Sequence, residues 1–261
     1  MEVKQVDYNY HTHTDRCGHA LGEDEQYVKA AIEAGFKVLG FSDHVPFKEV
    51  HHPSERMDYA QMEGYLESIN ALKAKYADKI EIKVGFELEY FPEYKDYYQS
   101  LLKRCDYLIC GQHNKTLDAY SYDLYADDED VIIYANQVKA AMESGLVSFI
   151  AHPDYFMLGR NRWSDACAQA ARIIAEAAEK NHIPLEINLN GLRYGKKLYG
   201  DLEVYPYPFP SFWQEVAKYN VKCIYSFDAH RPTTLLEKER IALVLDQLNG
   251  IHLHIEEQFR I

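Results

Sequence analysis

The sequence predicts an α/β fold in which parallel strands alternate with helices and close into a barrel. Short apolar runs rich in β-branched and aromatic residues alternate with longer amphipathic segments, the pattern of repeated βα units, and seven such pairs can be counted. The chain has 261 residues, close to the roughly 250 that one α/β barrel commonly needs. Metal-binding residue types, mostly histidines, stand at the carboxyl end of six of the seven strands. One domain covering residues 1–261 is therefore expected.

The predicted strands are short and cover residues 6–10, 38–41, 80–86, 107–110, 147–151, 184–189 and 221–227. The predicted helices cover residues 23–34, 59–76, 93–103, 129–144, 165–180, 211–218 and 234–248. Gly35, Gly145 and Asn220 come just after predicted helix ends, where a left-handed backbone is common. Residues 204–210 are too rich in proline for regular structure and predict an ordered loop beside the sixth unit.

The composition is that of an ordinary globular protein. Hydrophobic residues make up 47% and charged residues 26%, and there is no low-complexity tract or repeat. The amino-terminal residues lack the basic and apolar regions of a targeting signal, and no apolar run approaches the roughly 18 residues needed to cross a bilayer. A cytoplasmic protein with no membrane partner is therefore expected.

Cysteine content and net charge argue against two kinds of function. The five cysteines, Cys17, Cys105, Cys110, Cys167 and Cys223, include no CxxC pair, so neither a disulfide framework nor a thiolate zinc site is indicated. The net charge of −13 repels nucleic acid, and no cluster of lysine and arginine counters it. A small phosphorylated metabolite is a suitable partner, because bound cations would dominate the electric field near it.

Metal-binding residue types follow the predicted strands at the same end. His11 and His13 follow the first strand, His44 the second, Glu87 closes the third, His113 and His152 follow the fourth and fifth, and Asp228 and His230 follow the seventh. The carboxyl ends of parallel barrel strands lie on one face, where active sites of this architecture occur. A single histidine at a strand end is usually structural, but a set that recurs on six strands indicates a shared metal site. Imidazole and carboxylate without thiolate suit zinc, manganese or iron.

Six short motifs carry a family resemblance. They are HTHTDRCGH at residues 11–19, SDH at 42–44, GFELEY at 85–90, GQH at 111–113, AHPD at 151–154 and SFDAH at 226–230. In this order they resemble the successive motifs of the PHP (polymerase and histidinol phosphatase) family. The segment EINLNGLRYG at residues 186–195, which a proline-rich run follows, is similar to the histidinol-phosphate phosphatases of that family. The resemblance implies a distorted (β/α)7 TIM-like barrel that binds two or three divalent metal ions (Zn, Mn or Fe).

The resemblance also implies a set of nine metal ligands. By correspondence of motifs, His11, His13, Glu87 and Asp228 hold a first metal, Glu87 bridges it to a second that His113 and His152 complete, and His19, His44 and His230 hold a third. Glu89, on the same strand face as Glu87, is an alternative ligand, and Asp43 is expected to orient a neighbouring ligand. The histidines expected to lie outside the site are His51, His52, His182, His252 and His254.

The activity that the resemblance implies is a metal-dependent histidinol-phosphatase, which hydrolyses L-histidinol phosphate to L-histidinol and inorganic phosphate in histidine biosynthesis. A metal-activated hydroxide at the trinuclear centre would attack phosphorus, with Glu87, Asp228 and His230 as the catalytic residues. Two groups could protonate the leaving oxygen, Asp228 or a histidine near the third metal, and the sequence does not decide between them.

Three arginines are candidates for binding the phosphate, because a guanidinium can hold two phosphate oxygens together. Arg160 follows the fifth strand, Arg193 lies in the segment that resembles the histidinol phosphatases, and Arg16 lies between two ligand motifs. For the imidazole of the substrate, stacking on Phe91, Tyr155 or Tyr194 is expected.

Two other kinds of function stay open on the sequence. Another PHP-type enzyme, a phosphodiesterase or a phosphatase acting on a sugar, nucleotide or phosphotyrosine, would use the same ligands. A metal-binding module without catalysis is the alternative from a different class, although loss of catalysis usually shows as substituted ligands and all nine are present. The oligomeric state is not predicted.

Overall fold

The structure, a computed structural model, describes residues 6–117 and 119–261. Its strands are β1 (Tyr8–Asn9), β2 (Val38–His44), β3 (Glu81–Leu88), β4 (Tyr107–Cys110), β5 (Asn114–Thr116), β6 (Ala119–Ser121), β7 (Leu185–Asn188), β8 (Lys197–Tyr199), β9 (Leu202–Val204), β10 (Lys222–Ser226) and β11 (His254–Ile255). Its α-helices are α1 (Asp24–Glu33), α2 (Met62–Lys75), α3 (Lys95–Leu102), α4 (Asp128–Glu143), α5 (Asp165–Asn181), α6 (Pro210–Val216) and α7 (Glu239–Gln247). Short 3₁₀ segments, Tyr59–Gln61, Pro92–Tyr94 and Pro232–Leu236, precede α2, α3 and α7.

Parallel pairing arranges the main strands into a curled sheet. Four strands pair in the order β1-β2-β3-β4 and three in the order β11-β10-β7. Ile150 joins the two sets, since it bridges to Cys110 of β4 and to Leu185 of β7. A bridge between Thr12, which follows β1, and Ala229, which follows β10, joins the two sets a second time. The sheet therefore curls into a distorted barrel, and the predicted α/β barrel class is confirmed.

The predicted strand at residues 147–151 is reduced to the bridge at Ile150. The segment nevertheless keeps its place in the sheet through backbone hydrogen bonds, which run from Ser148 N to Leu108 O (2.8 Å), from Ile150 N to Pro184 O (3.0 Å) and from Ala151 N to Cys110 O (2.8 Å). The terminal residues add a strand instead, because β11 pairs with the first residues of β10.

The left-handed backbone predicted after helix ends is found at two of three positions. Gly35 and Gly145 have φ angles of 78° and 71°, as predicted. The prediction for Asn220 is wrong, because α6 ends four residues earlier and Ala217 at its end keeps a right-handed conformation. His182 has the left-handed conformation at the end of α5 instead, with φ 55°.

Two antiparallel hairpins, β5–β6 and β8–β9, were not predicted from the sequence. Their strands have three residues each, which is too short for an alternation of polar and apolar residues to be recognised. Each follows the carboxyl end of a barrel strand, so both extend the face that carries the predicted ligands. Between β9 and α6 the proline-rich chain is irregular, as predicted, and contains a cis Tyr207–Pro208 bond.

Tyr107 on β4 ties three strands together. Its hydroxyl lies 2.6 Å from the backbone oxygen of Tyr10 and 3.0 Å from that of Phe41, and its one hydrogen is donated between these two acceptors. Gly40 and Gly85 make room for the ring, since a Cβ at Gly40 would lie 2.3 Å from Tyr107 Oη and one at Gly85 would lie 2.5 Å from Tyr107 Cε1. This close packing sets the relative positions of β1, β2 and β3, which carry three groups of predicted ligands.

Helices α4 and α5 pack side by side and support the segment between them, which carries His152. Alanines dominate the buried stripe of α5, which lets the two helix backbones approach closely. Both amino ends are capped: the Asp127 carboxylate accepts from Glu129 N and Asp130 N, and Ser164 Oγ accepts from Cys167 N. Within the residues described, none of the helices is both long and apolar enough to cross a membrane.

Candidate metal centre

A cavity of about 430 Å³ opens at the carboxyl ends of the barrel strands. Eight of the nine predicted ligands line it, namely His13, His19, His44, Glu87, His113, His152, Asp228 and His230. The ninth, His11, is fully buried and contacts His13 and Glu87. Residues that are up to 219 positions apart in the chain are therefore brought together at one end of the barrel, as the sequence predicts.

The deepest part of the centre contains His11, His13 and Asp228. The Nε2 atoms of the two histidines lie 3.1 Å apart. Asp228 Oδ1 lies 3.5 Å from His11 Nε2 and 3.3 Å from His13 Nε2. The three side chains thus direct nitrogen and oxygen lone pairs at one point, and they form one of the groups whose ligand atoms all lie within 4.8 Å of one another.

Glu87, at the end of β3, connects the two sides of the centre. Its Oε2 atom lies 3.4 Å from His11 Nε2, 3.5 Å from His13 Nε2 and 3.1 Å from His44 Nδ1. Its Oε1 atom faces the other way, 3.0 Å from His152 Nε2 and 3.6 Å from His113 Nε2. One carboxylate therefore offers an oxygen to each of two groups of imidazoles, which is the arrangement that a bridging ligand needs.

The outer histidines form a stack around His13. The ring centroid of His230 lies 4.1 Å from that of His13 and 4.8 Å from that of His19, and His44 lies 4.4 Å from His13 on another side. His19 Nδ1 lies 3.0 Å from Cys17 O, and His230 Nδ1 lies 3.0 Å from Asp228 O. These carbonyl contacts favour a proton on Nδ1 of both rings and leave Nε2 as the free lone pair.

The backbone is strained where two of these side chains enter the centre. His152 has φ 28° and Asp228 has φ 46°, a region that costs residues other than glycine of order 1–3 kcal/mol. Gly111 is required for a different reason: a Cβ there would lie 1.8 Å from Glu87 Oε1. Strained residues of this kind cluster at functional sites, where the surrounding structure compensates for them.

Buried carboxylates make the centre attractive to positive charge. Burial raises the pKa of Glu87 and of Asp228, but His11 and the other nearby imidazoles outweigh burial and hold both pKa values well below the usual range. Burial lowers the pKa of His11 and of His13, and the carboxylates outweigh it again, so the pKa of His13 is raised to about 9 and that of His11 is also raised. Protons are therefore drawn to the positions that a divalent cation would occupy.

The histidines closer to the cavity mouth are held neutral instead. Burial lowers the pKa of His113 to about 3, and it also lowers the pKa of His44 and His230, with the positive charge of His13 adding to the effect for these two. A neutral imidazole is the form that binds a metal. Cys17 lies beside this group with its thiol buried, and burial raises its pKa, so it offers no thiolate to the site.

The donor set fits divalent cations. Among the described residues, the buried atoms without a hydrogen-bond partner include Glu87 Oε2 and Asp228 Oδ1, although leaving a buried carboxylate oxygen unpaired is costly. The groups that could hold an ion include three triads without cysteine: His11, His13 and Asp228; His11, Glu87 and His152; and His13, His44 and His230. Nitrogen and carboxylate donors without thiolate suit zinc, manganese or iron.

The sequence was compared with models of known protein families. The sequence model described as the PHP domain matches residues 9–190, which is more than half of the chain. The chain belongs to the PHP domain family. The predicted resemblance is thereby confirmed. The matched region contains seven of the nine predicted metal ligands, from His11 to His152.

Relatives of this PHP chain include enzymes named for phosphate hydrolysis. A probable histidinol-phosphatase from Deinococcus radiodurans is 27% identical over 233 residues, 85% of each chain. The crystal structure of histidinol phosphate phosphatase from Lactococcus lactis, complexed with zinc, L-histidinol and phosphate, superposes with a TM-score of 0.70 at 16% identity and covers 96% of this chain and 95% of the other. Metal-dependent tyrosine phosphatases from Bacillus subtilis and Streptococcus pneumoniae give a TM-score of 0.53 at 15% identity, covering 93% of this chain and 87% of the other. These structures share the fold.

Of the three arginines predicted to bind phosphate, Arg193 lines the cavity at the carboxyl ends of the strands, and the other two do not. Arg193 lies with its guanidinium carbon 4.7 Å from the ring centre of Tyr194, whose hydroxyl it contacts at 2.6 Å. Arg16 is paired with the Asp24 carboxylate through two hydrogen bonds of 2.8 and 3.0 Å. Arg160 donates to Ala126 O and contacts the Asp128 carboxylate beside a different surface depression.

Arg16 and Arg160 therefore do not belong to the proposed site, since their guanidinium groups already neutralise carboxylates elsewhere. Placement after a strand brought Arg160 near the correct face of the barrel, but the side chain points to the amino end of α4. Of the three aromatic residues expected to stack on a substrate, Tyr155 and Tyr194 line the cavity and Phe91 does not.

The cavity also contains an ion pair between Arg56 and Glu89, of which only Glu89 was predicted to lie at the site. Arg56 is buried and pairs with Glu89, with 2.7 Å between Nη2 and Oε2. The other Glu89 oxygen accepts a hydrogen bond from Asn114 at 2.8 Å. Because both oxygens of Glu89 are engaged, Glu87 is the better candidate for a metal ligand. No local pattern marks Arg56, which lies in a loop far from any strand end.

The histidines expected to lie outside the site do so. His51 pairs with Asp58 at the surface, and His182 and His254 line a separate depression with Arg260 and Ile261. His52 and His252 line neither cavity. Asp43 lies against the site, accepts from the backbone amides of Thr14 and His44, and is 3.5 Å from His13 Nδ1. That position fits the orienting role predicted for it.

Proposed function

We propose that this chain is a metal-dependent phosphatase of the PHP family that hydrolyses L-histidinol phosphate to L-histidinol and inorganic phosphate. The observation that carries the proposal is the cavity at which eight of the nine predicted donors meet beside Arg193, with His11 buried against them. The substrate is suggested by the names of the relative from Deinococcus radiodurans and of the structure from Lactococcus lactis. The whole chain, residues 1–261, would form one domain around this site.

In this proposal the nine donors hold two or three divalent ions. His11, His13 and Asp228 would hold the first, Glu87 would be shared between it and a second that His113 and His152 would complete, and His19, His44 and His230 would hold a third. Bound ions of this kind supply Lewis-acid chemistry, because they neutralise phosphoryl oxygens and lower the pKa of a water toward roughly 7. The protein's own part is to keep Glu87 and Asp228 ionised and the outer imidazoles neutral, through the pKa shifts described above.

Substrate binding would use Arg193, Tyr155 and Tyr194, which line the same cavity as the outer histidines. Arg193 presents a guanidinium that can bind two phosphoryl oxygens together. Tyr155 and Tyr194 offer ring faces and edges for an imidazole, and the Tyr155 ring lies 5.0 Å from the rings of both His113 and His152. Substrate imidazole stacked there would keep the phosphate close to the metal ligands.

The substrate assignment is tested by comparing phosphate release from four compounds. We expect kcat/KM for L-histidinol phosphate to exceed that for glycerol phosphate, a sugar phosphate and a phosphotyrosine peptide by about 100-fold or more, since polar groups built to bind one substrate discriminate by about this factor or better. A preference for the phosphotyrosine peptide would move the chain to the tyrosine phosphatases, whose fold it shares. Metal binding without turnover of any compound would indicate a module without catalysis.

Removal of the metals should abolish this activity reversibly. We expect dialysis against a strong chelator to reduce phosphate release to background, and reloading with zinc or manganese to restore it, because the proposed nucleophile is a water whose pKa only a bound metal lowers. Metal content by mass spectrometry should reach two or three ions per chain on reloading. Full activity in a protein that contains less than one ion per chain would refute the metal-dependent mechanism.

Arg193 should contribute to the binding of the phosphate. A charge-assisted hydrogen bond is worth about 1.5–3 kcal/mol, so Arg193→Ala should lower kcat/KM about 10- to 100-fold. Arg193→Lys should recover only part of the loss, since a lysine cannot bind two oxygens with one planar group. Arg160→Ala is the matched control, and its kcat/KM should stay within about twofold of the wild-type value. Equal losses in the Arg193 and Arg160 variants would contradict the assignment.

A further inference from the structure

Glu186 on β7 lies behind the metal centre and is fully buried. Its Oε1 atom lies 2.8 Å from His11 Nδ1. Its Oε2 atom accepts two hydrogen bonds, one from the backbone N–H of His152 at 2.8 Å and one from Asn188 Nδ2 at 2.7 Å. One carboxylate therefore contacts two of the proposed metal ligands, His11 after β1 and His152 after the bridge at Ile150, which are separate parts of the curled sheet.

Two asparagines extend this contact to a third ligand. Asn188 Nδ2 lies 3.2 Å and Asn190 Nδ2 3.1 Å from Asp228 Oδ2. Asn188 Oδ1 accepts in turn from Asn190 N at 2.8 Å. Because both amides bind Oδ2, the other oxygen of Asp228 stays free and faces the imidazoles of His11 and His13.

We infer that Glu186 is a positioning residue that prepares His11 and His152 to bind metal. A proton on His11 Nδ1 is shared with the carboxylate, so the lone pair resides on Nε2, the atom that points at His13, Glu87 and Asp228. The hydrogen bond to His152 N stabilises the backbone at the strained φ of 28° that aims this imidazole at Glu87 Oε1. This inference rests on the proposed metal site and is independent of which phosphate ester is the substrate.

The hydrogen-bond pattern requires a carboxylate and excludes an amide. All three partners of Glu186 are donors in this arrangement: His11 Nδ1–H, His152 N–H and the amide of Asn188. A glutamine has one acceptor oxygen and one donor NH₂ group. If the NH₂ group faces His152 and Asn188, donors oppose donors. If it faces His11, Nδ1 must accept and the proton moves to Nε2, where it blocks metal binding.

Glu186→Gln therefore tests the inference with almost no change in volume. We expect its affinity for Zn²⁺, measured in competition with a chromogenic chelator, to fall about 10- to 100-fold, the usual loss when the partner of a metal-ligating histidine is removed. With Co²⁺ as the probe, the visible absorption bands of the bound ion should shift because the geometry at His11 changes. A protein that is only less stable would keep both the affinity and the spectrum.

Two further variants make the result decisive. Asp24→Asn also removes a buried carboxylate charge, but Asp24 pairs with Arg16 and Ser68 outside the centre, so this variant should lose thermal stability and keep its Zn²⁺ affinity. Asn188→Ala removes one donor to Glu186 and one to Asp228, and it should weaken Zn²⁺ binding about severalfold. It replaces Glu186→Gln if the latter does not fold.

The outcomes separate this inference from the proposed function. Wild-type Zn²⁺ affinity and an unchanged Co²⁺ spectrum in Glu186→Gln, or in Asn188→Ala where the former does not fold, would overturn the positioning role while leaving the phosphatase proposal intact. Failure of the wild-type protein itself to bind Zn²⁺ would overturn both. Wild-type metal binding with no hydrolysis of histidinol phosphate would overturn the proposed substrate and leave the role of Glu186 in place.

Discussion

Replacing Glu87 by alanine is expected to lower kcat/KM for phosphate release about 1,000-fold and to remove metal at the same time. Metal ions contribute several kcal/mol of charge stabilisation in the transition state, and each 1.36 kcal/mol is a factor of ten in rate. The loss should be this large because the two oxygens of Glu87 face two different groups of imidazoles. Without the carboxylate, neither group has a shared anionic ligand.

The measurement is metal content per chain together with steady-state kinetics at saturating Zn²⁺. Glu81→Ala is a matched control on the same strand, since Glu81 is exposed at the opposite end of β3 and pairs only with Lys83 in the contacts described. It should retain wild-type metal content and activity. If Glu87→Ala kept its full complement of metal and turned over within about tenfold of wild type, the bridging role would be wrong.

Replacing Gly111 by alanine should cost about 100-fold in kcat/KM, although it adds only one methyl group. The new Cβ would lie 1.8 Å from Glu87 Oε1, 2.7 Å from Glu87 Cδ and 2.8 Å from His152 Cε1. These distances are far inside van der Waals contact, so both side chains must move. A displacement of about 1 Å at a catalytic site can cost about 100-fold in rate.

Gly64→Ala is the control for this substitution. Gly64 lies in the exposed part of α2, and a Cβ there meets no atom within 4 Å. Alanine should therefore stabilise the helix by about 0.5–1 kcal/mol and leave activity unchanged. For Gly111→Ala we expect weaker Zn²⁺ binding and slower phosphate release in a protein that is still folded by circular dichroism. Activity equal to that of Gly64→Ala would mean that Glu87 and His152 do not act from the positions described.

The fold, and the gathering of most of the predicted ligands at one cavity, could be predicted because strand and helix patterns are written in the local sequence. Strand runs such as residues 80–86 are marked by apolar β-rich composition, and their carboxyl ends must meet on one face of a barrel. The predicted ligands from His11 to His230 accordingly lie at one cavity. The hairpin β8–β9 was missed because its short strands carry little pattern, and the strand predicted at residues 147–151 is reduced to the bridge at Ile150.

Side-chain direction could not be predicted in the same way. Arg160 follows a strand, as the ligands do, yet its guanidinium binds Ala126 O and Asp128 at another surface. Arg56 follows no strand and still lines the cavity, because the loop that carries it places its guanidinium against Glu89, which neutralises its charge. In both cases the nearest available carboxylate decides where the arginine points, and that carboxylate belongs to a different element of the fold.

The sequence by itself determined which residue types gather at the carboxyl ends of the strands, since the order of strands and helices converts positions in the chain into positions on one face. Only the tertiary structure decided which atoms of those residues are available. His11 offers Nε2 because Glu186, 175 residues away, holds Nδ1. Glu89 is a poorer candidate ligand than Glu87 because Arg56, 33 residues away, already pairs with it. Such contacts arise from packing between remote segments, and no local pattern in the chain records them.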